Sequence, residues 1–123
     1  MRLKKYFRIL IAVVVMAFCI HLGGGWASAQ DAAKVIKVTA KQFEYSPAEI
    51  TLKKGVPVVL EFTSLDRLHG FSCPALDIRT DIEPGKVNRI EFTPKQAGTF
   101  PFHCDNFCGS GHGGMKGKII VTE

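Results

Sequence analysis

After residue 29 the chain alternates short apolar runs with clusters of turn residues. Runs in which β-branched and aromatic residues occupy every second position predict β-strands. These strands are predicted at 35–39, 49–52, 56–63, 88–93, 99–103 and 118–122. Glycine and proline mark the turns between them, and no run of about ten residues keeps a helical period. The pattern predicts a single-domain, all-β fold of about seven strands, either a β-sandwich or a Greek-key barrel.

The first 29 residues follow a different pattern. A cationic stretch that ends at Arg8 is followed by an apolar run at 9–20 and then by the small residues Ala27-Ser28-Ala29. This order is typical of a secretory signal peptide with its cleavage site before Gln30. The apolar run is shorter than the roughly 20 residues that span a bilayer. The sequence therefore predicts a signal peptide at 1–29 and a mature domain at 30–123, with an uncleaved membrane anchor as the alternative.

The positive charge of the chain belongs mainly to this leader. The 123 residues include 16 Lys and Arg against 11 Asp and Glu, for a formal net charge of +5. Without residues 1–29 there are 12 basic and 11 acidic residues, which leaves a net charge of +1. A basic domain would suggest a nucleic-acid partner, but a nearly neutral one gives no reason to expect it.

Export would place the domain in an oxidising, extracytoplasmic compartment such as the periplasm, where free thiols are uncommon. The predicted mature domain has three cysteines, Cys73, Cys104 and Cys108. Because this number is odd, at least one thiol is outside any intramolecular disulfide. Metal binding is one way to protect such a thiol from oxidation.

One segment between two predicted strands is dense in metal-binding side chains. It carries two thiols, an imidazole and a thioether at Cys104, Cys108, His112 and Met115. Soft sulfur donors together with imidazole select copper or zinc, and a methionine thioether favours copper. A second imidazole is available from His69, which follows the predicted strand at 56–63.

Three other interpretations of these residues stay open. Cys104 and Cys108 could form a local disulfide in an oxidising compartment. The two cysteines and two histidines could bind zinc. A mononuclear copper site could use Cys108 with His69, His112 and Met115, which would leave Cys104 as a free thiol.

The spacing C-x3-C-x3-H-x2-M, with an isolated histidine 35 residues earlier, resembles the CuA domain of cytochrome oxidase subunit II and of nitrous oxide reductase. The segments Leu68-His69-Gly70-Phe71, Thr80-Asp81 and Pro84-Gly85 stand in the same order and spacing as in subunit II, as does the final apolar strand. The resemblance covers roughly residues 47–123. It implies a cupredoxin-like β-sandwich for this chain.

The resemblance also implies a ligand set for two copper ions: His69, Cys104, Asn106, Cys108, His112 and Met115. In that family both thiolates bridge the two metals, and each histidine binds one of them. The methionine is a weak axial ligand, and the residue at the position of Asn106 contributes its backbone carbonyl. The centre transfers one electron between a mixed-valence and a fully reduced state.

The function implied by the resemblance is one-electron transfer to or from a partner such as a cytochrome c, an oxidase or a reductase, by a monomer without catalysis of its own. The sequence contains no catalytic triad, carboxylate pair or phosphate-binding loop that would indicate an enzyme.

Two alternative functions stay open. The chain could be an extracytoplasmic protein that delivers copper to an oxidase or reductase, or a membrane-anchored, subunit II-like electron-entry subunit. The sequence departs from oxidase subunits in having no tryptophan after residue 29, and in carrying Asn106 where many of them have glutamate.

Four residues near the candidate ligands have other expected roles. Phe71 and Phe107 are predicted to shield the metal from water. Cys73 is predicted to be a small core residue. His103 is predicted to lie at the surface, since alternation in a strand turns it away from Cys104.

Overall fold

The computed structural model describes residues 33–123, so the predicted signal peptide at 1–29 lies outside the described part of the chain. Within that part nine strands are present: β1 (Lys34–Lys41), β2 (Glu44–Ser46), β3 (Glu49–Lys53), β4 (Val58–Ser64), β5 (His69–Cys73), β6 (Ile78–Ile82), β7 (Asn88–Phe92), β8 (Gly98–His103) and β9 (Lys116–Thr122). Short 3-10 helices occur at Pro74–Leu76 and His112–Gly114. No helix in residues 33–123 has the length and apolar content needed to span a membrane.

The strands form two sheets. The first has the order β2-β1-β4-β7 and the second the order β3-β9-β8-β5-β6. Two pairings are parallel, β1 with β4 and β3 with β9, and the others between named strands are antiparallel. The prediction of an all-β sandwich is therefore confirmed.

All six predicted strands are present, with small differences at their ends. The strand predicted from residue 56 begins at Val58, because the preceding turn extends to Val56, whose N–H donates to the carbonyl of Lys53. Sequence analysis missed β2, β5 and β6. These strands are short, and β5 includes a histidine and a glycine, which weaken the apolar alternation.

The core lies between the sheets and is rich in aromatic rings. Phe62 and Tyr45 come from the first sheet, and Phe71 and Phe102 come from the second. The ring centroid of Phe71 lies 4.5 Å from that of Phe62 and 4.7 Å from that of Phe102. Tyr45 meets Phe102 edge-on at 5.1 Å. These rings bury a large apolar area and prefer particular mutual orientations, so they help to fix how the two sheets pack.

The candidate ligands lie at one end of this sandwich. His69 is the first residue of β5, and Cys104 follows the last residue of β8. The segment from Cys104 to Met115, which we call the ligand loop, connects β8 to β9. Its base is closed by a hydrogen bond of 3.0 Å from the N–H of Cys104 to the carbonyl of Met115. Antiparallel pairing of β8 with β9 therefore brings the two ends of the loop together.

We expect Phe62→Ala to lower the free energy of unfolding of the metal-free protein by about 3–5 kcal/mol, because it opens a cavity between the sheets. Val87→Ala is the control, since Val87 is 57% exposed and its truncation should have little effect. Urea unfolding followed by circular dichroism measures both. Equal stability of the two variants would contradict the packing described here.

Candidate metal centre

Three candidate ligands from two parts of the fold meet in the core. A ring nitrogen of His69 and the sulfurs of Cys104 and Cys108 all lie within 4.8 Å of one another. Two ligands on one metal, with bonds of about 2.0–2.3 Å, can be separated by at most about 4.5 Å. The three donors therefore have nearly the spacing of groups that share metal ions. All three side chains are buried.

The remaining candidates surround the two thiols. The sulfurs of Cys104 and Cys108 are 3.8 Å apart. Nδ1 of His112 lies 3.7 Å and the sulfur of Met115 3.8 Å from the Cys108 sulfur. The backbone carbonyl oxygen of Asn106 lies 3.1 Å from the Cys104 sulfur. The structure thus brings all six candidate residues together, while their action as metal ligands stays a prediction.

His69 has a ring nitrogen that is available to a metal. Its side chain is 0% exposed, and its Nε2 lies 2.7 Å from a carboxylate oxygen of Asp66. An ionised carboxylate can only accept, so Nε2 carries the proton and Nδ1 keeps its lone pair. Nδ1 is buried and has no hydrogen-bond partner among the described residues. A buried polar atom without a partner is costly, and a metal ion bound there would satisfy it.

Asp66 is well suited to orient this ring. Burial opposes its ionisation, but hydrogen bonds from the N–H of Gln42, from His69 and from the N–H of Arg67 lower its pKa to about 2. The carboxylate is therefore ionised at neutral pH and holds the proton of His69 on Nε2. A carboxylate that fixes the tautomer of a ligating histidine is a common feature of metal sites.

The Cys108 thiol is protonated at neutral pH when no metal is bound. Burial, reinforced by the neighbouring Cys104 thiol, raises the pKa of Cys108 to about 11. Metal binding must therefore displace at least the proton of Cys108. The sulfur of Cys104 also accepts a hydrogen bond of 3.4 Å from the N–H of Gly70. Such a bond stabilises negative charge on sulfur.

The middle of the ligand loop is held by side chains from outside it. Arg67 donates to the backbone carbonyl of Cys108 at 3.0 Å, and Gln42 donates to the same oxygen. The ring of Phe43 packs directly against Gly111, where an added Cβ would lie only 2.3 Å from it. Glycine is needed at this position because the ring and the loop backbone are in contact.

The first half of the ligand loop is held through the side chain of Asn106. Its amide donates to the carboxylate of Asp81 at 2.7 Å and to the backbone carbonyl of His69 at 3.4 Å. Asn106 therefore joins strand β6 to the start of strand β5 at the centre of the site.

Two of the four accessory predictions, those for Cys73 and His103, agree with the structure, while the shielding role of Phe71 stays a prediction. Phe71 and Cys73 are fully buried in the core, and burial raises the pKa of the Cys73 thiol. His103 is exposed. The expectation that Phe107 is a shielding residue is wrong, because its side chain is 82% exposed. Its ring lies over the outer side of the loop, 5.7 Å from the ring of His112.

Sequence reasoning missed the side chains that support the candidate ligands. Asp66 stands three residues before His69, a local spacing that could have suggested the contact. Gln42, Arg67 and Asp81 give no such signal, because strand pairing and loop packing bring them to the site.

Known proteins with similar sequences carry the same kind of domain. The model of the cupredoxin-like domain family matches residues 9–121. Cytochrome c oxidase subunit 2 of Thermus thermophilus is 35% identical over 88 residues, which cover 72% of this chain and 65% of that protein. Nitrous-oxide reductase of Ralstonia nicotianae is 33% identical over 90 residues, which cover 70% of this chain and 14% of that protein. The chain thus spans less than two thirds of each relative.

A solved structure shows the same fold. The periplasmic domain of subunit II of cytochrome oxidase from Bradyrhizobium japonicum superimposes with a TM-score of 0.69. The match covers 75% of this chain and 86% of that chain at 24% identity. The cluster of His69, Cys104 and Cys108 also fits a CuA-type site. The chain therefore belongs to the cupredoxin-like domain family and is homologous to the soluble domain of cytochrome c oxidase subunit II.

Proposed function

We propose that the protein transfers single electrons through a dinuclear, CuA-type copper centre held by His69, Cys104, Asn106, Cys108, His112 and Met115. One observation carries this proposal. Two buried thiols lie 3.8 Å apart beside a buried histidine whose Nδ1 has no partner within the described residues. Two sulfurs with imidazole donors match the preference of copper, and the nearby thioether favours copper over zinc.

The arrangement around the two thiols supports two copper ions in preference to one. The Cys104 sulfur lies near the carbonyl of Asn106, whereas the Cys108 sulfur lies near His112 and Met115. Each thiol therefore has its own set of additional donors. A mononuclear site would use one set and leave a buried thiol beside the metal without a role.

The chain supplies a rigid and dry environment for this centre. Bound copper would supply a one-electron redox couple. The protein buries four of the six candidate donors, orients His69 through Asp66, and fixes the loop by hydrogen bonds that the Cys108 carbonyl accepts and the Asn106 amide donates. When the donor atoms are held in place, they shift little as bound copper gains or loses an electron. A small structural rearrangement of this kind favours rapid electron transfer.

We further propose that the domain acts as an exported monomer in the periplasm, with a cytochrome c, an oxidase or a reductase as its redox partner. The name of the Bradyrhizobium japonicum structure, a periplasmic domain, supports this location. The names of the relatives, an oxidase subunit and a reductase, support these partner classes. Contact with a membrane is expected only if the N-terminal segment is retained.

The exported protein should have the mass of residues 30–123, because the small residues at 27–29 form a signal peptidase site. Intact-mass spectrometry of protein expressed with its own N-terminus measures this. A mass that includes residues 1–29 would indicate an anchored protein.

The copper-loaded protein should contain two copper ions per chain that share one unpaired electron. Metal analysis gives the stoichiometry, and electron paramagnetic resonance should show hyperfine coupling to two equivalent copper nuclei. Coupling to a single copper nucleus, or binding of zinc alone, would contradict the proposal. Ready loss of copper to a competing thiol, with no stable mixed-valence signal, would instead support copper delivery.

Cys104→Ser and Cys108→Ser should each abolish the shared-electron signal, because a single thiolate cannot bridge two copper ions symmetrically. Cys73→Ala is the matched control. It removes a buried thiol that lies in the core away from the cluster, and the signal should persist. The three spectra are compared after identical copper loading. An unchanged signal in both serine variants would exclude these cysteines as bridging ligands.

Met115→Leu should leave the centre assembled and raise its reduction potential. Loss of a weak sulfur donor removes electron density from the oxidised metal, and leucine preserves the buried volume. Cyclic voltammetry of both proteins measures the change. An unchanged potential would assign Met115 to packing alone.

A further inference from the structure

We propose that Arg79 is a positioning residue of this metal centre, which acts by clamping the first half of the ligand loop to strand β6. The clamp consists of Arg79, Asp81, Asp105 and Asn106. It would fix the direction of the Asn106 backbone carbonyl. The inference rests on the proposed function, in which that carbonyl is a ligand.

The guanidinium of Arg79 binds two carboxylates at once. Its Nε lies 2.8 Å from one oxygen of Asp105, and its Nη2 lies 3.2 Å from the other. Nη2 also lies 2.6 Å from Oδ1 of Asp81. The contact with Asp105 is bidentate, and such a pair fixes the relative orientation of both groups as well as their distance.

The clamp continues from Asp81 to the loop backbone. Oδ1 of Asp81 accepts hydrogen bonds from both Arg79 and the side-chain amide of Asn106, the latter at 2.7 Å. The same amide donates to the carbonyl of His69. Because Asp105 and Asn106 are adjacent, the chain is held at two consecutive side chains. Rotation of the peptide that follows is restricted as a result.

The close approach of Gly70 also restricts the position of Asp105 and Asn106. A Cβ placed on Gly70 would lie 1.9 Å from Oδ1 of Asp105 and 3.1 Å from the backbone nitrogen of Asn106. The carboxylate of Asp105 thus occupies the space that any other residue at position 70 would fill. Gly70 directly follows His69, so the clamp also sets the distance between two proposed ligand segments.

The charged side chains of the clamp are half-exposed, so their ion pairs add little to the stability of the fold and must be explained in another way. The side chains of Arg79 and Asp81 are each 45% exposed, and ion pairs in such positions contribute little to folding. The effect of the clamp should therefore appear in the geometry of the centre. The first sheet offers a comparison, because Arg89 forms one side-chain ion pair of 3.4 Å with Glu61 and, among residues 33–123, no hydrogen bond or ion pair with the ligand loop.

The first test is copper affinity. Arg79→Gln removes the charge and the bidentate contact, and we expect copper binding to weaken about 10- to 100-fold, as when groups that support metal ligands are lost. Arg79→Lys keeps the charge without the planar fork and should not restore full affinity. Arg89→Gln is the matched control and should bind copper like the unchanged protein. Competition titration with a chelator measures all four proteins.

The second test measures the local opening of the ligand loop in the metal-free protein. In the metal-free protein, Arg79→Gln should speed amide hydrogen exchange at 105–107 and leave His112 and Gly114 unchanged, because their N–H groups are bonded within the loop to the carbonyls of Gly109 and Gly111. Gly70→Ala should have the same local effect, since it displaces the Asp105 carboxylate. Nuclear magnetic resonance measures exchange in both variants and in Arg89→Gln.

The outcomes separate the two proposals. Faster exchange at 105–107 together with weaker copper binding supports the positioning role. Exchange and affinity equal to those of Arg89→Gln would overturn it, even if the unchanged protein shows the shared-electron signal. If the unchanged protein binds no copper pair, the proposed function fails. In that case faster exchange would identify a structural clamp only, and the positioning role would be overturned as well.

Discussion

The burial of a histidine in an apolar core is the constraint on which the site depends. His69 is among the few polar side chains in the interior of residues 33–123, and burial without partners is costly for such a group. Asp66 satisfies one ring nitrogen, whereas the other has no hydrogen-bond partner among the described residues, in a ring that lies beside the cysteine sulfurs. The hydrogen bonding of this ring is therefore incomplete, and a bound metal would complete it. This asymmetry explains why a small sandwich keeps two thiols and an imidazole in positions where hydrophobic residues would give greater stability.

The same constraint explains how the loop is attached. The backbone of a long connection that enters a core needs partners for its polar groups. The Cys108 carbonyl receives donors from Arg67 and Gln42, which lie in other loops of the sandwich. The start of the loop is bound to β6 through Asn106 and Asp81. The loop is therefore held from both sides by residues distant in sequence, and its shape belongs to the whole fold.

The sequence indicates which residues cluster at the site better than it indicates the side chains that hold them there. Cys104, Cys108, His112 and Met115 lie on one segment, so their spacing alone indicates a shared site, and His69 was identified because a second imidazole was needed. The Asp81–Asn106 contact depends on the pairing of β5 with β6, two strands that the alternation pattern did not reveal. Phe107 was misassigned for a related reason. An aromatic residue in a glycine-rich loop can face either side, and the sequence has no strand or helix period at this position to show that the ring of Phe107 is exposed.

The parallel pairing of β3 with β9 has a consequence for how the protein folds. Glu49 pairs with Lys118, so this contact closes most of the described chain into a single large loop. Contacts between such distant residues form slowly, because closing the large loop costs chain entropy before the contact provides any stabilising interaction. The ligand loop lies immediately before β9, so its two cysteines are enclosed only once β9 has paired with its neighbours in the sheet. If the protein folds in the periplasm, as we propose, slow pairing of β9 would give disulfide formation time to compete with the completion of folding.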